Sequence, residues 1–234
     1  MIDRSLNYGR HHIYDYLLKA LPYSSVLDIG AGCGVDLAIA KQVNSAAKQI
    51  AIEAYAPYVE KLSLQGVQVH PLNIEKDSLP FNDESIDVVI ANQVLEHTKE
   101  LFWIFHEISR VLAVGGKLII GVPNLASLHN RLLLLLGKQP SPIQNASAHV
   151  RGYTKHDLTR FVSLCFPGGY ELIEFKGSNF YPLPPLLARP LADILPNMAW
   201  GIFLMFEKRT KYSRHFLDFP VQKKLETNFF LGSI

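Results

Sequence analysis

The chain has little cysteine: Cys33 and Cys165 are the two thiols among 234 residues. They form no spaced framework, so reduced thiols in a cytoplasmic protein are expected. Charge of one sign is also scarce, with a net charge of +2 and 19% charged residues. So small a balance makes no overall field for nucleic acid, and none is expected as a partner. An uninterrupted membrane-spanning run is missing too. Residues 183–206 are apolar, but Pro184, Pro185, Pro190, Pro196, Arg189 and Asp193 interrupt them, where a spanning helix needs about 20 apolar residues. The segment is expected to be a folded lobe, a lid or at most a peripheral membrane contact. Near the N-terminus Asp3, Arg4, Arg10 and the pair His11–His12 break any signal-peptide pattern, so none is expected. The sequence shows no internal repeat and no low-complexity tract. What is present is 48% hydrophobic residues. That excludes wholesale disorder and suits one large α/β domain with its own core.

The apolar pattern alternates between short continuous runs and helical stripes. Helices are expected at 8–20, 35–43, 58–64, 100–112, 125–136 and 154–165. Strands are expected at 25–29, 49–53, 67–70, 86–91, 117–122, 170–176 and 200–208. Ile86 to Ala91 is apolar throughout, as in a parallel strand buried on both faces. Leu101, Ile104, Phe105, Ile108, Val111 and Leu112 make one helical stripe, and Gly115-Gly116 is expected to end that helix. Thr154 is the expected N-cap of the helix that follows it, with Asp157 as its capping-box partner. Such alternation implies right-handed βαβ units: an α/β, doubly wound, seven-stranded and mostly parallel sheet with an antiparallel last strand. The five leucines 132–136 are expected to pack mainly in the core, with a partner- or lipid-facing surface as the alternative; five adjacent leucines cover every side of a helix, so at least one is expected to face a second layer or a partner. The basic and aromatic stretch from Lys208 onward is expected to be a solvated extension.

Val26-Leu27-Asp28-Ile29-Gly30-Ala31-Gly32-Cys33-Gly34 carries the functional signal. A buried strand runs into a glycine-rich turn and then a helix, which brings backbone N–H groups to the strand's carboxyl end, where open α/β sheets bind ligands. Glu53 ends the second strand and can accept two hydrogen bonds from a ribose diol. Together these features indicate an adenosine-containing ligand without identifying which. Val35 stands where a dinucleotide fingerprint has Gly or Ala. Asp28 disfavours a pyrophosphate and suits an ammonium group. Cys33 has no base or metal partner in sequence and is expected to be a small turn residue.

With these residues the chain resembles the class I S-adenosylmethionine-dependent methyltransferases, in their type 11-like branch. VLDIGAGCG, AIEAY, PLNIEKDSLPFNDESIDVVIANQVLEH and ISRVLAVGGKLIIGVPN carry the resemblance over residues 25–123. It implies a Rossmann-like fold and a single domain. Within that domain 1–22 would be a helical lid, 23–123 the cofactor-binding half, 124–208 a substrate-side insertion with the last strands, and 209–234 a C-terminal extension. It implies S-adenosyl-L-methionine as cofactor and S-adenosyl-L-homocysteine as product. Asp28, Gly30, Ala31, Gly32 and Gly34 would face the methionine part and Glu53 the ribose. Ala54 or Tyr55, with Asn73 and Ile74, would border the adenine, and Gln93 would lie beside the transferred methyl. Asn73 stands where the family usually has Asp, and its side-chain oxygen can still accept a bond from the adenine amino group. The segment after strand five resembles bacterial methyltransferases of small-molecule and cell-envelope glycan pathways.

Methyl transfer needs a base only when the acceptor arrives protonated. His97, after strand four, and His149 are the candidates; Tyr8, His12 and Arg151 are candidates for substrate contact. The bland alternatives are a capping histidine for His97, solvated loop charges for His149 and Arg151, and an amphipathic surface helix for His11 and His12. Glu96 is expected to favour the next helix through its dipole rather than to act as an acid. No metal is expected. The expected function is methyl transfer to a small-molecule acceptor, such as a sugar or lipid-linked hydroxyl. A non-catalytic cofactor-binding scaffold and an NAD-dependent oxidoreductase stay open as alternatives.

Overall fold

The computed structural model describes residues 9–226 and 228–232. Tyr8 lies outside the described residues. In chain order the elements are α1 (Arg10–Ala20), β1 (Ser25–Ile29), α2 (Val35–Val43), β2 (Lys48–Ile52), α3 (Ala56–Leu64), β3 (Gln68–His70), β4 (Ile86–Asn92), α4 (Leu101–Val111) and β5 (Leu112–Pro123). There follow α5 (Leu128–Leu135), α6 (Lys155–Cys165), β6 (Tyr170–Ser178), α7 (Pro185–Ile194), β7 (Gly201–Lys208) and α8 (His215–Gln222). The seven strands form one sheet in the order β3-β2-β1-β4-β5-β7-β6. The strands β1 to β5 pair in parallel, while β7 runs antiparallel between β5 and β6.

The period of two along each strand splits the core into two layers. Leu27 and Ile29 join Val89, Ala91, Leu118, Ile120, Leu204 and Phe206 on the face covered by α4, α6 and α8. Val26 joins Val88, Ile90, Ile119, Phe203 and Met205 on the face covered by α1 and α2. Ile13, Tyr16 and Leu17 of α1 are fully buried there, and the Tyr16 hydroxyl donates to the Phe203 carbonyl. Asp28, in step with Val26, faces this second layer near α1 and α2. Thr154 caps α6 as expected, its Oγ1 accepting from the Asp157 N–H at 3.1 Å.

Four expectations are corrected. The helix α4 ends at Val111, and Leu112 already begins β5. Gly115-Gly116 lies inside β5, beside the register shift between Ile86 and Val88. A Cβ on Gly116 would stand 2.8 Å from the Asp87 carbonyl oxygen, so close backbone packing, not helix termination, explains that glycine. The leucine run is largely at the surface: Leu132, Leu134, Leu135 and Leu136 are all exposed. A two-turn helix buries one face, and on α5 the buried residue is Asn130, whose amide donates to the Asn124 carbonyl. The basic stretch is no solvated tail. Lys208 is fully buried, donating to the Ser109 and Leu112 carbonyls at 2.8 and 2.7 Å, and Phe216 of α8 sits in the core. Glu96 is the fourth correction, and its place is described with the site. Among the described residues no helix is long and apolar enough to cross a membrane.

Candidate functional site

The carboxyl ends of β1, β2 and β4 meet at one edge of the sheet. The turn after β1 folds back on β2, with the Gly30 and Ala31 N–H groups donating to the Ile52 carbonyl at 2.9 and 3.2 Å. Gly30 and Gly32 both have left-handed backbones (φ 68° and 54°), which side chains rarely adopt. They differ in surroundings. A Cβ on Gly30 would strike Val94 at 2.6 Å, whereas one on Gly32 would project into open space. The backbone at Gly32 is therefore open on the side where a side chain would stand. The Gly32 N–H donates to Glu53 Oε2 at 2.7 Å, and the Tyr55 N–H donates to Glu53 Oε1 at 2.8 Å. Ala54, Tyr55 and Asn73 are exposed beside Glu53, and Ile74 packs partly against the core. The Asn73 oxygen accepts from the Glu75 N–H at 2.9 Å, so one of its lone pairs is already engaged.

Asp28 is buried, and its Oδ2 has no hydrogen-bond partner. Burial raises its pKa well above the ordinary carboxylate value; the Asp36 carboxylate adds to the rise and Arg10 opposes it. Asp36 holds Arg10 Nε at 2.7 Å and Asn92 Nδ2 at 2.9 Å, and the Asn92 oxygen is itself buried without a partner. The Asp28 oxygen is thus a buried acceptor whose polar demand no group of the protein meets. Asp36 and Asn92, which gather beside Asp28 with Arg10, were not singled out from the sequence. A carboxylate two positions into the helix after the turn, and an amide closing β4, were the available signals.

Gln93, at the end of β4, has a left-handed backbone (φ 56°) and donates its N–H to the Gly121 carbonyl at 2.7 Å. That conformation costs a non-glycine residue energy and turns the chain sharply out of the sheet. The short 3-10 turn Leu95–His97 follows. It carries Glu96, which is not a helix-dipole residue as expected. Glu96 is buried, with neither carboxylate oxygen partnered, and burial pushes its pKa up to about 7. His97 and His149 come together here, their rings perpendicular at 4.6 Å. His97 Nδ1 lies 3.3 Å from the Ala148 carbonyl. Burial lowers the His149 pKa, as does His97.

The substrate candidates divide. Arg151 does not offer a free guanidinium and is no solvated loop charge. It donates to the Thr98 and Lys99 carbonyls at 3.2 and 2.6 Å and fastens the loop before α6 to the exit of β4. His12 is not on a solvated helix face. It is buried against Phe203, with Nε2 2.9 Å from the Gly177 carbonyl, and its pKa falls to about 4, chiefly through burial. Together with His11, Asp15, Arg189 and Asp193 it lines a cavity of about 310 Å³ beside β6 and α7.

The family model described as "Methyltransferase domain" matches residues 27–120, which run from β1 into β5. The chain is 34% identical over 113 residues to the "Probable tRNA methyltransferase 9B" of Mus musculus, covering 47% of this chain and 24% of that protein. It is 30% identical over 122 residues to a "Probable S-adenosylmethionine-dependent methyltransferase" of Mycobacterium tuberculosis, covering 50% of this chain and 42% of that one. The chain thus spans less than half the length of these curated relatives. Among solved structures, a SAM-dependent methyltransferase from Archaeoglobus fulgidus matches with a TM-score of 0.59 at 13% identity, over 88% of this chain and 97% of that one. Residues 27–120 thus match the methyltransferase-domain family, and the seven-stranded sheet has the same fold as the S-adenosylmethionine-dependent methyltransferase of known structure.

Proposed function

We propose that the protein binds S-adenosyl-L-methionine at the turn after β1 and methylates a hydroxyl of a small-molecule acceptor. The observation that carries this reading is the unpartnered buried oxygen of Asp28 beside the open backbone at Gly32. S-adenosylmethionine supplies an electrophilic methyl on a sulfonium sulfur and leaves as the neutral thioether S-adenosylhomocysteine. Asp28 receives the ammonium of its methionine part, and Glu53 holds the ribose diol. Ala54, Tyr55, Asn73 and Ile74 border the adenine. Gln93 sits beside the transferred methyl, at the end of β4. The cluster of Glu96, His97 and His149 accepts the hydroxyl proton as the oxygen–carbon bond forms. The protein's remaining work is orientation and exclusion of water.

The exposed leucines favour an acceptor that carries a sugar or an apolar chain. Leu134, Leu135 and Leu136 continue α5, while Leu186 and Leu187 stand exposed on α7. The two regions meet through His129, Tyr181 and Trp200, whose rings lie about 5 Å apart. Such a surface suits a lipid-linked substrate at a membrane face. The mouse relative named above makes tRNA the second reading, against which the net charge of +2 weighs.

Calorimetry with S-adenosylmethionine, S-adenosylhomocysteine and NAD tests the cofactor. The two sulfur ligands are expected to bind and NAD is not; NAD binding alone refutes the reading. Labelled methyl transfer into separated lipid, glycan and tRNA fractions tests the acceptor, with label in tRNA alone deciding for the second reading.

A further inference from the structure

Glu96, His97 and His149 present one ligand atom each, all within 4.8 Å of one another. Two of the three residues leave β4 through the 3-10 turn, and the third comes from the loop before α6. That loop is fixed against the turn. The Val150 and Arg151 N–H groups donate to the Glu96 carbonyl at 2.8 and 3.2 Å, and the Arg151 guanidinium holds the Thr98 and Lys99 carbonyls. The Tyr153 hydroxyl donates to the Leu95 carbonyl at 3.1 Å. The three side chains are thus brought together by contacts of Val150, Arg151 and Tyr153 with the turn, and by the His97 ring against the Ala148 carbonyl.

Held this way, the cluster has unmet polar demand. Glu96 is 1% exposed, and both of its carboxylate oxygens lack a hydrogen-bond partner. His149 Nδ1 is likewise buried without one. Leaving such atoms unpaired is costly. A cation placed between the three ligand atoms satisfies all of them at once. His97 is prepared for the part: a carbonyl can only accept, so the Ala148 oxygen holds the proton on Nδ1 and leaves the Nε2 lone pair free. An outer hydrogen bond of this kind commonly orients a metal-bound histidine.

We propose that Glu96, His97 and His149 form a binding site for one divalent transition-metal ion. Two imidazole nitrogens and one carboxylate oxygen suit zinc, cobalt or nickel, whereas magnesium and calcium prefer oxygen alone. Three protein ligands leave a coordination position open, the arrangement of reactive rather than structural sites. The ion would also tie the loop before α6 to the end of β4. This deepens the reading of the same cluster, since the ion takes over the role given there to the side chains alone; ion binding itself does not depend on the methyl acceptor.

The test uses the full chain without an affinity tag, stripped with chelator. Cobalt(II) is titrated while its visible absorption is followed, and zinc is measured by equilibrium dialysis. The expected result is one ion per chain, a cobalt spectrum of four or five coordination, and displacement by zinc. Glu96→Gln and His149→Ala should each weaken binding at least tenfold. His97→Ala, at an exposed side chain, should do the same and covers any variant that fails to fold. His156→Ala, exposed on α6, should bind as the parent does. Absence of binding, or affinity unchanged in all three cluster variants, overturns the proposal. S-adenosylhomocysteine affinity is measured separately on the same samples. Its loss in the parent protein refutes the cofactor reading alone; its retention without metal binding refutes the metal site alone.

Discussion

The Gly32 N–H donates to Glu53 Oε2 at 2.7 Å, joining the turn after β1 to the end of β2. Two parts of the proposed cofactor pocket thus satisfy each other. Glu53→Ala removes this bond and the one from the Tyr55 N–H. It should lower S-adenosylhomocysteine affinity more than tenfold, about 1.4 kcal/mol or more. Folding stability should fall by about 1–3 kcal/mol, since bonds to a charged acceptor are lost. Glu53→Gln keeps an acceptor for one N–H and should recover most of the stability but little of the affinity. Calorimetry and denaturant unfolding separate the two effects.

Asp28 makes stability depend on pH. Its folded pKa is raised above the ordinary 3.8. Below about 4 the carboxyl is protonated in both folded and unfolded chains, so it exerts no penalty. As pH rises from there through the raised folded value, the unfolded chain releases its proton first and stability falls. Above that value the loss stays constant. Asp28→Asn should remove this slope in urea titrations at several pH values. A cationic ligand couples in the opposite sense: its affinity for the parent protein should grow as pH rises through the same window. Asp28→Asn should abolish that growth and weaken binding at least tenfold.

The elements that were legible in the sequence are those whose pattern is local. The bounds of β1 and α2 follow from a continuous apolar run, three glycines and a helical stripe, and they match the expectation residue for residue. The start of β5 was hidden because a glycine pair after a helix suits either a stop or a close strand approach; Asp87 on the neighbouring strand decides between them. Glu96 was misjudged for a related reason. Its place beside His97 was plain, but its burial depends on the loop before α6, whose path no periodicity encodes. His149 joined that cluster by tertiary packing alone. The leucines of α5 show the converse, an apolar run that implied burial the fold does not provide.

Lys208 shows how a charge in a basic run can be structural. Its ammonium donates to the Ser109 and Leu112 carbonyls and pairs with Glu84 at 3.5 Å. Lys208→Ala leaves both carbonyls and a cavity in the core behind it. The loss should be on the order of 3 kcal/mol. Phe216→Ala on α8 removes a buried ring that meets Phe105 and Phe161, and should cost about 3–5 kcal/mol. Both variants are read by chemical denaturation. Stability equal to that of the parent in Phe216→Ala would return the segment after β7 to the status of a loose tail.

Gly32→Ala separates the backbone's needs from the ligand's. The added Cβ meets no atom of the protein within 4 Å, so its cost to folding is the left-handed φ of 54° alone. That conformation costs a non-glycine residue about 1–2 kcal/mol. The same Cβ occupies the open space that a methionine-bearing ligand would fill, so S-adenosylhomocysteine affinity should fall at least tenfold. Gly30→Ala reverses the balance: its Cβ would strike Val94, so folding should suffer more than at Gly32. Unfolding curves and calorimetry on the two variants should therefore rank them in opposite orders. Unchanged affinity in Gly32→Ala would mean that the ligand does not approach the turn at this residue.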